Sequence, residues 1–305
     1  MEKPLVIILC GPTASGKTSF SIELAKQIQG EIVSADSMQI YQEMDIGTAK
    51  VTEEEKQNIP HYMIDIIKPN ERYSVAEYKE EATKAIENIL AKGKVPIVVG
   101  GTGLYINSLL YNITYPQLDF DKAYRTELET RVEKEGLESL YQEACHIDQE
   151  AMQKISQNDK KRILRVIEIY HQTGKTKTEL EKESRKEKSP FNFHVYVLSR
   201  DREELYQRIN LRVDKMIQDG LIEEVRRIKE KYQEFPTAMQ GLGYKEVVSY
   251  LQGNMTKEEM VETIKKESRR YAKRQITWFK AIKEAVWLDM QKKVQENIDK
   301  ILEDE

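Results

Sequence analysis

The 305-residue chain has no apolar run approaching the eighteen or so residues that a membrane-spanning helix needs, so no span is expected. Its apolar N-terminal stretch, Leu5–Cys10, is too short for the core of a secretion signal and runs straight into Gly11 and Pro12. A cytoplasmic location is the expectation. Cysteine is scarce: Cys10 and Cys145 show neither CxxC nor metal-ligand spacing, which leaves them as small apolar fillers. Four histidines (His61, His146, His171, His194) are scattered without pairing, so a protein-held zinc site is not expected. Asn112 and Asn254 match the glycosylation tripeptide, but without a secretion signal the matches carry no meaning. No internal repeat or low-complexity tract occurs, which excludes solenoid and linker-like architectures.

What is present is charge. A third of the residues are charged against 39% hydrophobic, the balance of a globular protein with a charged, helix-rich surface. The net charge of −4 would argue against a nucleic-acid partner, yet phosphate affinity follows local patches and not the sum. From Lys265 to Lys283 there are eight Lys or Arg against one Glu, and a second basic cluster, KKRILR, spans Lys160–Arg165. Either could be only a solvated helix face.

The chain opens with strand–loop–helix alternation. Leu5–Cys10 reads as a strand buried on both faces, followed by a glycine-bearing loop and a helix from about Thr18 to Gln29. Glu31–Ala35 is a second short strand. Ser74 and Glu77 form a capping box for a helix to about Lys92, and Val95–Val99 is a third strand. A later strand, Val195–Ser199, precedes long amphipathic helices from Glu203 onward. This pattern predicts an α/β fold with a parallel sheet and covering helices. Between about Pro116 and Pro190 only charged helical periodicity occurs, broken at Gly136, Asp148, Asp159 and Gly174. The expected organisation is a core of 1–115 and 191–305 with an all-helical insertion at 116–190.

Gly11-Pro12-Thr13-Ala14-Ser15-Gly16-Lys17-Thr18 fits GxxxxGK[ST] at every required position, between a predicted strand and a predicted helix. The backbone amides and helix N-terminus suit a di- or triphosphate, Lys17 neutralises its oxygens, and Thr18 can offer a hydroxyl to magnesium. The core is therefore expected to be P-loop NTPase-like. An ordinary ATPase carries an acid at the end of a second strand. Here Val95–Val99 ends in Gly100-Gly101-Thr102-Gly103, with amides and a hydroxyl instead. The only acid at a strand end near the loop is Asp36, placed to accept a proton from a nucleophile or simply to serve a turn.

The blocks GPTASGKT, SADSMQIYQEMDIGTAK (Ser34–Lys50) and GGTGLY (Gly100–Tyr105) together resemble the bacterial tRNA dimethylallyltransferases. The likeness continues through DKKRILRVIEIY, RINLRVDKMIQDGLIEEV, GLGYKE and YAKRQITWF, and so spans nearly the whole chain. It implies transfer of a dimethylallyl group from its pyrophosphate to N6 of the adenosine 3′-adjacent to the tRNA anticodon, with Mg²⁺ and as a monomer. Gly11–Thr18 would bind the pyrophosphate, and Asp36 would be the general base. Ser37, Met38 and Gln39 would meet anticodon-loop bases, with Thr102 beside the target nucleotide. Arg208 and Arg212 both fit the arginine that neutralises pyrophosphate, with Arg212 preferred. Arg125 and the segment Lys161, Arg162, Ile163, Leu164 and Arg165 correspond to positions that touch tRNA. Tyr271, Trp278 and Phe279 are read as core residues of a helix, with a stacking role as the alternative.

Two features depart from relatives. Lys161 stands where many have glutamine, and no cysteine follows Cys145, so the zinc finger of eukaryotic relatives is not expected. The competing readings are a small-molecule or nucleotide kinase on the same loop, a prenyltransferase of free adenine nucleotides, and a non-enzymatic RNA-binding protein.

Overall fold

Strand β1, Leu5–Cys10, has every residue from Val6 to Cys10 fully buried, because it is covered on both faces. Its period-two alternation sends Val6, Ile8 and Cys10 into one apolar cluster and Ile7 and Leu9 into another. The computed structural model describes residues 2–115, 121–184 and 187–303. The remaining strands are β2 (Gly30–Ala35), β3 (His61–Tyr62), β4 (Val95–Gly100), β5 (Asn192–Ser199) and β6 (Val286–Asp289). They form one parallel sheet in the order β3-β2-β4-β1-β5-β6.

Helices cover both faces. Val75–Ala91 contributes Tyr78, Ala82, Ile86 and Ile89 to the first cluster, while Lys17–Ile28 brings Phe20, Ile22 and Leu24 to the second. The Ser74–Glu77 capping box forms as expected, with Glu77 N–H donating to Ser74 Oγ and Ser74 N–H to the Glu77 carboxylate. A third cluster joins Ile40, Tyr41 and Met44 to helices Leu221–Lys231, Tyr244–Leu251 and Lys257–Phe279. Among the described residues no helix is long and apolar enough to cross a membrane.

The chain divides into two compact units, Met1–Leu110 with Pro190–Glu305, and Tyr111–Ser189. The boundary expected at Pro116 lies outside the described residues. Within the second unit the described residues form helices only, including Lys122–Glu135, Leu137–Ile147 and Lys160–Thr173. The expected breaks fall at their ends: Gly136 and Gly174 close helices, and Asp148 and Asp159 cap the next ones by accepting from Ala151 N–H and Arg162 N–H.

Candidate active site

Sheet register builds the site. Cys10 and Ala35 both pair with Gly100, so β1, β2 and β4 end on one level. The segments that begin at Gly11, Asp36 and Gly101 therefore leave the carboxyl edge side by side, where open α/β sheets bind ligands. A cavity of about 870 Å³ opens there, lined by Thr13, Gly16, Lys17, Thr18, Asp36 and Arg212 among others.

Gly16 starts the helix Lys17–Ile28 at φ 102°, a backbone that residues with a Cβ rarely adopt, and offers no side-chain cap. The first amides of that helix are thus left for an anion. Lys17 Nζ donates to the carbonyls of Gly11 (2.9 Å) and Pro12 (2.8 Å). Arg200 Nε donates to Ser15 O and Arg208 Nε to Ala14 O, both at 2.9 Å, so cations hold four of the loop's carbonyls. Gly11, Pro12 and Ser15 are buried beneath the loop's surface, and Thr18 is exposed at the cavity. Burial, and then the nearby Arg212 cation, lower the Lys17 pKa to about 8, while Asp36 pulls the other way. Arg212 is likewise held below its ordinary value by burial, opposed by Asp36. Cys10 lies buried at the end of β1 with its thiol pushed up to about 12 by burial, consistent with the filler role.

Asp36 is half-buried and lines the cavity. Its Oδ1 accepts from Met38 N–H at 2.9 Å, so it does serve a turn. Among the described residues no donor engages Oδ2. Both readings of this residue therefore coexist: one oxygen fixes the side chain, and the other is open for chemistry. Ser37, Met38 and Gln39 line the same cavity. Ser37 N–H donates to Thr102 Oγ1 at 3.0 Å, which places Thr102 one step behind the cavity lining.

The helix Lys257–Phe279 adds Gln275 and Arg274, which motif reading passed over, and Tyr271, which was expected in the core but is only partly buried and lines the cavity. Gln275, buried, accepts from Thr13 N–H at 2.8 Å and donates to Gly101 O at 2.9 Å, tying the phosphate loop to the Gly100–Gly101 turn. A polar residue on the inward stripe Met260, Ile264, Ser268, Ala272, Gln275, Phe279 was the available signal. Gln275→Ala is expected to cost about 1–3 kcal/mol by stranding both partners. Urea unfolding checks this, and an unchanged midpoint would show the bridge to be idle. Tyr271 and Arg274 line the cavity, and burial, then the Asp36 carboxylate, push the Tyr271 phenol up to about 12, so it remains a donor. Phe279 is core as expected, whereas Trp278 is exposed.

In the helical unit the basic segment divides by face. Lys161, Arg162 and Arg165 are exposed, the arginines in weak ion pairs with Asp159 (3.4 Å) and Glu168 (3.5 Å). Ile163 and Leu164, expected to touch tRNA, instead lie fully buried among Leu128, Leu140 and Ala144. The helical period turns them inward, so their side chains cannot reach RNA. Arg125 is not an open cation either, since it pairs with Glu129 and Glu168, each at 3.0 Å. Leu164→Ala should destabilise this unit by about 2–5 kcal/mol, while Lys161→Glu should stay within about 0.5 kcal/mol. Denaturation curves of the two variants decide it, and equal midpoints would contradict the assignment of faces.

Residues 39–282 match the family described as IPP transferase. The chain is 50% identical over 285 residues to the tRNA dimethylallyltransferase of Acetivibrio thermocellus, covering 93% of this chain and 91% of that relative. It superposes on the full-length tRNA isopentenylpyrophosphate transferase from Bacillus halodurans with a TM-score of 0.74 at 40% identity, covering 99% of this chain and 96% of that one. A eukaryotic dimethylallyltransferase acting on tRNA gives a TM-score of 0.79 at 30% identity, over 94% of this chain and 74% of that one. With sequence likeness, sheet architecture and phosphate loop in agreement, the chain belongs to the IPP transferase family.

Proposed function

We propose that the chain transfers a dimethylallyl group from dimethylallyl pyrophosphate to N6 of the adenosine 3′-adjacent to the anticodon in tRNA, releasing pyrophosphate. The observation that carries this reading is the convergence of a phosphate loop and a half-engaged carboxylate, Asp36, on one cavity. The exocyclic amine attacks the allylic carbon, and the carbon–oxygen bond breaks with its electron pair leaving on pyrophosphate. Asp36 Oδ2 takes the amine proton. Lys17, Arg212 and the loop amides hold the charge that grows on the leaving group. Thr102, through its bond to Ser37, keeps the segment Asp36–Gln39 against the target nucleotide.

Magnesium belongs to the proposal. Among the described residues no group of three or more His, Cys, Asp or Glu is placed to hold a metal. The Thr18 hydroxyl at the cavity fits an ion that takes most of its ligands from phosphate oxygens and water. When bound, the ion would neutralise pyrophosphate charge. Lys161, Arg162 and Arg165 present the exposed cations that suit tRNA phosphates. The chain acts in the cytoplasm as a monomer.

The test is incubation of purified protein with radiolabelled dimethylallyl pyrophosphate, magnesium and unmodified tRNA, with free AMP in parallel. Label in tRNA alone is the expected result. Label in AMP alone would replace this reading with a free-nucleotide prenyltransferase, and ATP-dependent phosphorylation without prenyl transfer would favour a kinase.

A further inference from the structure

Glu224, on the helix Leu221–Lys231, is a carboxylate only 3% exposed. Among the described residues no cation pairs with it. Four donors meet it instead: the N–H groups of Asp45 (3.0 Å), Ile46 (2.7 Å) and Gly47 (3.1 Å), and the Tyr244 hydroxyl (2.6 Å). Three successive amides turned onto one anion form a nest, here filled by a side chain of the same protein. The Tyr244 ring can reach the carboxylate only because residue 47 is glycine, where a Cβ would lie 2.4 Å from the ring. Burying a charge without a counter-ion is expensive, and a packed apolar residue serves stability as well or better. The carboxylate therefore calls for a role that packing does not supply.

That role follows from the next residue along. The nest fixes the turn Asp45–Gly47, and with it the carbonyl of Thr48. This one carbonyl accepts from Arg212 NH2 at 3.1 Å and from Gln39 Nε2 at 3.3 Å. Arg212 and Gln39 both line the cavity, the first close enough to Lys17 to lower its pKa and the second three residues beyond Asp36. The Thr48 hydroxyl donates to Met44 O at 2.6 Å, so the carbonyl has little freedom to drift once the turn is set.

We infer that Glu224 is a positioning residue for the transfer: by organising the 45–48 turn it aims the Thr48 carbonyl, which orients the Arg212 guanidinium toward pyrophosphate and Gln39 toward the acceptor. The inference rests on the prenyl-transfer reading given above. A glutamine at 224 keeps the shape but replaces one acceptor oxygen with a donor NH₂, which cannot face an N–H. At least one amide of the nest loses its partner and the turn relaxes.

The probe is inorganic pyrophosphate with magnesium, titrated calorimetrically into the full chain as wild type, Glu224→Gln, Arg212→Ala and the double variant. Glu224→Gln is expected to weaken pyrophosphate binding by about tenfold, the scale of a slightly misplaced group. In the Arg212→Ala background the same change should have little further effect, because the two act along one path. Tyr244→Phe removes a single donor, keeps the ring, and should weaken binding in the same direction where Glu224→Gln folds poorly. Unchanged affinity in both variants, or a full tenfold loss that persists without Arg212, would overturn the inference. Prenyl transfer by the wild type, assayed separately, judges the functional reading: pyrophosphate coupling without transfer would reject that reading and keep the link between Glu224 and Arg212.

Discussion

Replacing Asp36 with alanine is expected to slow prenyl transfer by about a hundredfold or more while tRNA affinity stays near that of the wild type. The adenine amine is a poor nucleophile because its lone pair is shared with the ring, so charge builds on nitrogen as the new bond forms. Asp36 is the acid at a strand end beside the phosphate loop and lines the cavity, with Met38 N–H on its Oδ1 and, among the described residues, no donor on Oδ2. Asp36→Asn sharpens the test. It preserves an oxygen for Met38 N–H but cannot take a proton, so its single-turnover rate should fall about as far as that of Asp36→Ala. A wild-type rate in the asparagine variant would reduce Asp36 to a turn residue.

Lys17→Met should lower transfer by about a hundred- to a thousandfold, the usual loss for a group that stabilises developing negative charge. The ammonium now spans the Gly11 and Pro12 carbonyls at the floor of the loop. Its pKa also sets a pH dependence. Burial and Arg212 lower it to about 8, so the charged form prevails below that pH and is lost as pH rises through it. Affinity for the prenyl pyrophosphate should accordingly be full below about pH 8 and weaken by about tenfold per unit above it. Lys17→Arg should carry this limb to higher pH. A flat affinity profile between pH 7 and 10 would mean that Lys17 does not face the substrate's charge.

Much of this was legible in the sequence because its signals are local. The four main strands appeared as apolar runs bounded by glycine or charge, and the phosphate loop announced itself between a strand and a helix. Helix ends in the middle of the chain followed from single residues, Asp148, Asp159 and Gly174, whose capping chemistry acts within one turn. Strands β3 and β6 were missed. At two and four residues on the sheet's outer edges, they exist because a neighbour offers a ladder, and their own sequence says little.

The basic string at 160–165 shows a subtler failure. The resemblance implied that all five residues from Lys161 to Arg165 touch tRNA, yet the helical period buries the side chains of Ile163 and Leu164 and leaves Lys161, Arg162 and Arg165 outside. The local pattern contained that answer, because a helix turns residues three and four apart to one face.

What sequence alone determined, then, is the set of elements and the chemistry of each loop, since strand periodicity, capping and phosphate-loop geometry act over a few residues. Tertiary structure decided which loops share a cavity and what holds them there. The registry of Cys10 and Ala35 on Gly100 joins three loops that are far apart in the chain. Gln275 reaches Thr13 across 262 residues, and Glu224 reaches the 45–47 amides across 177 to 179. Such bonds leave no periodic trace, because a hydrogen bond depends on where two groups end up and not on the spacing between them along the chain.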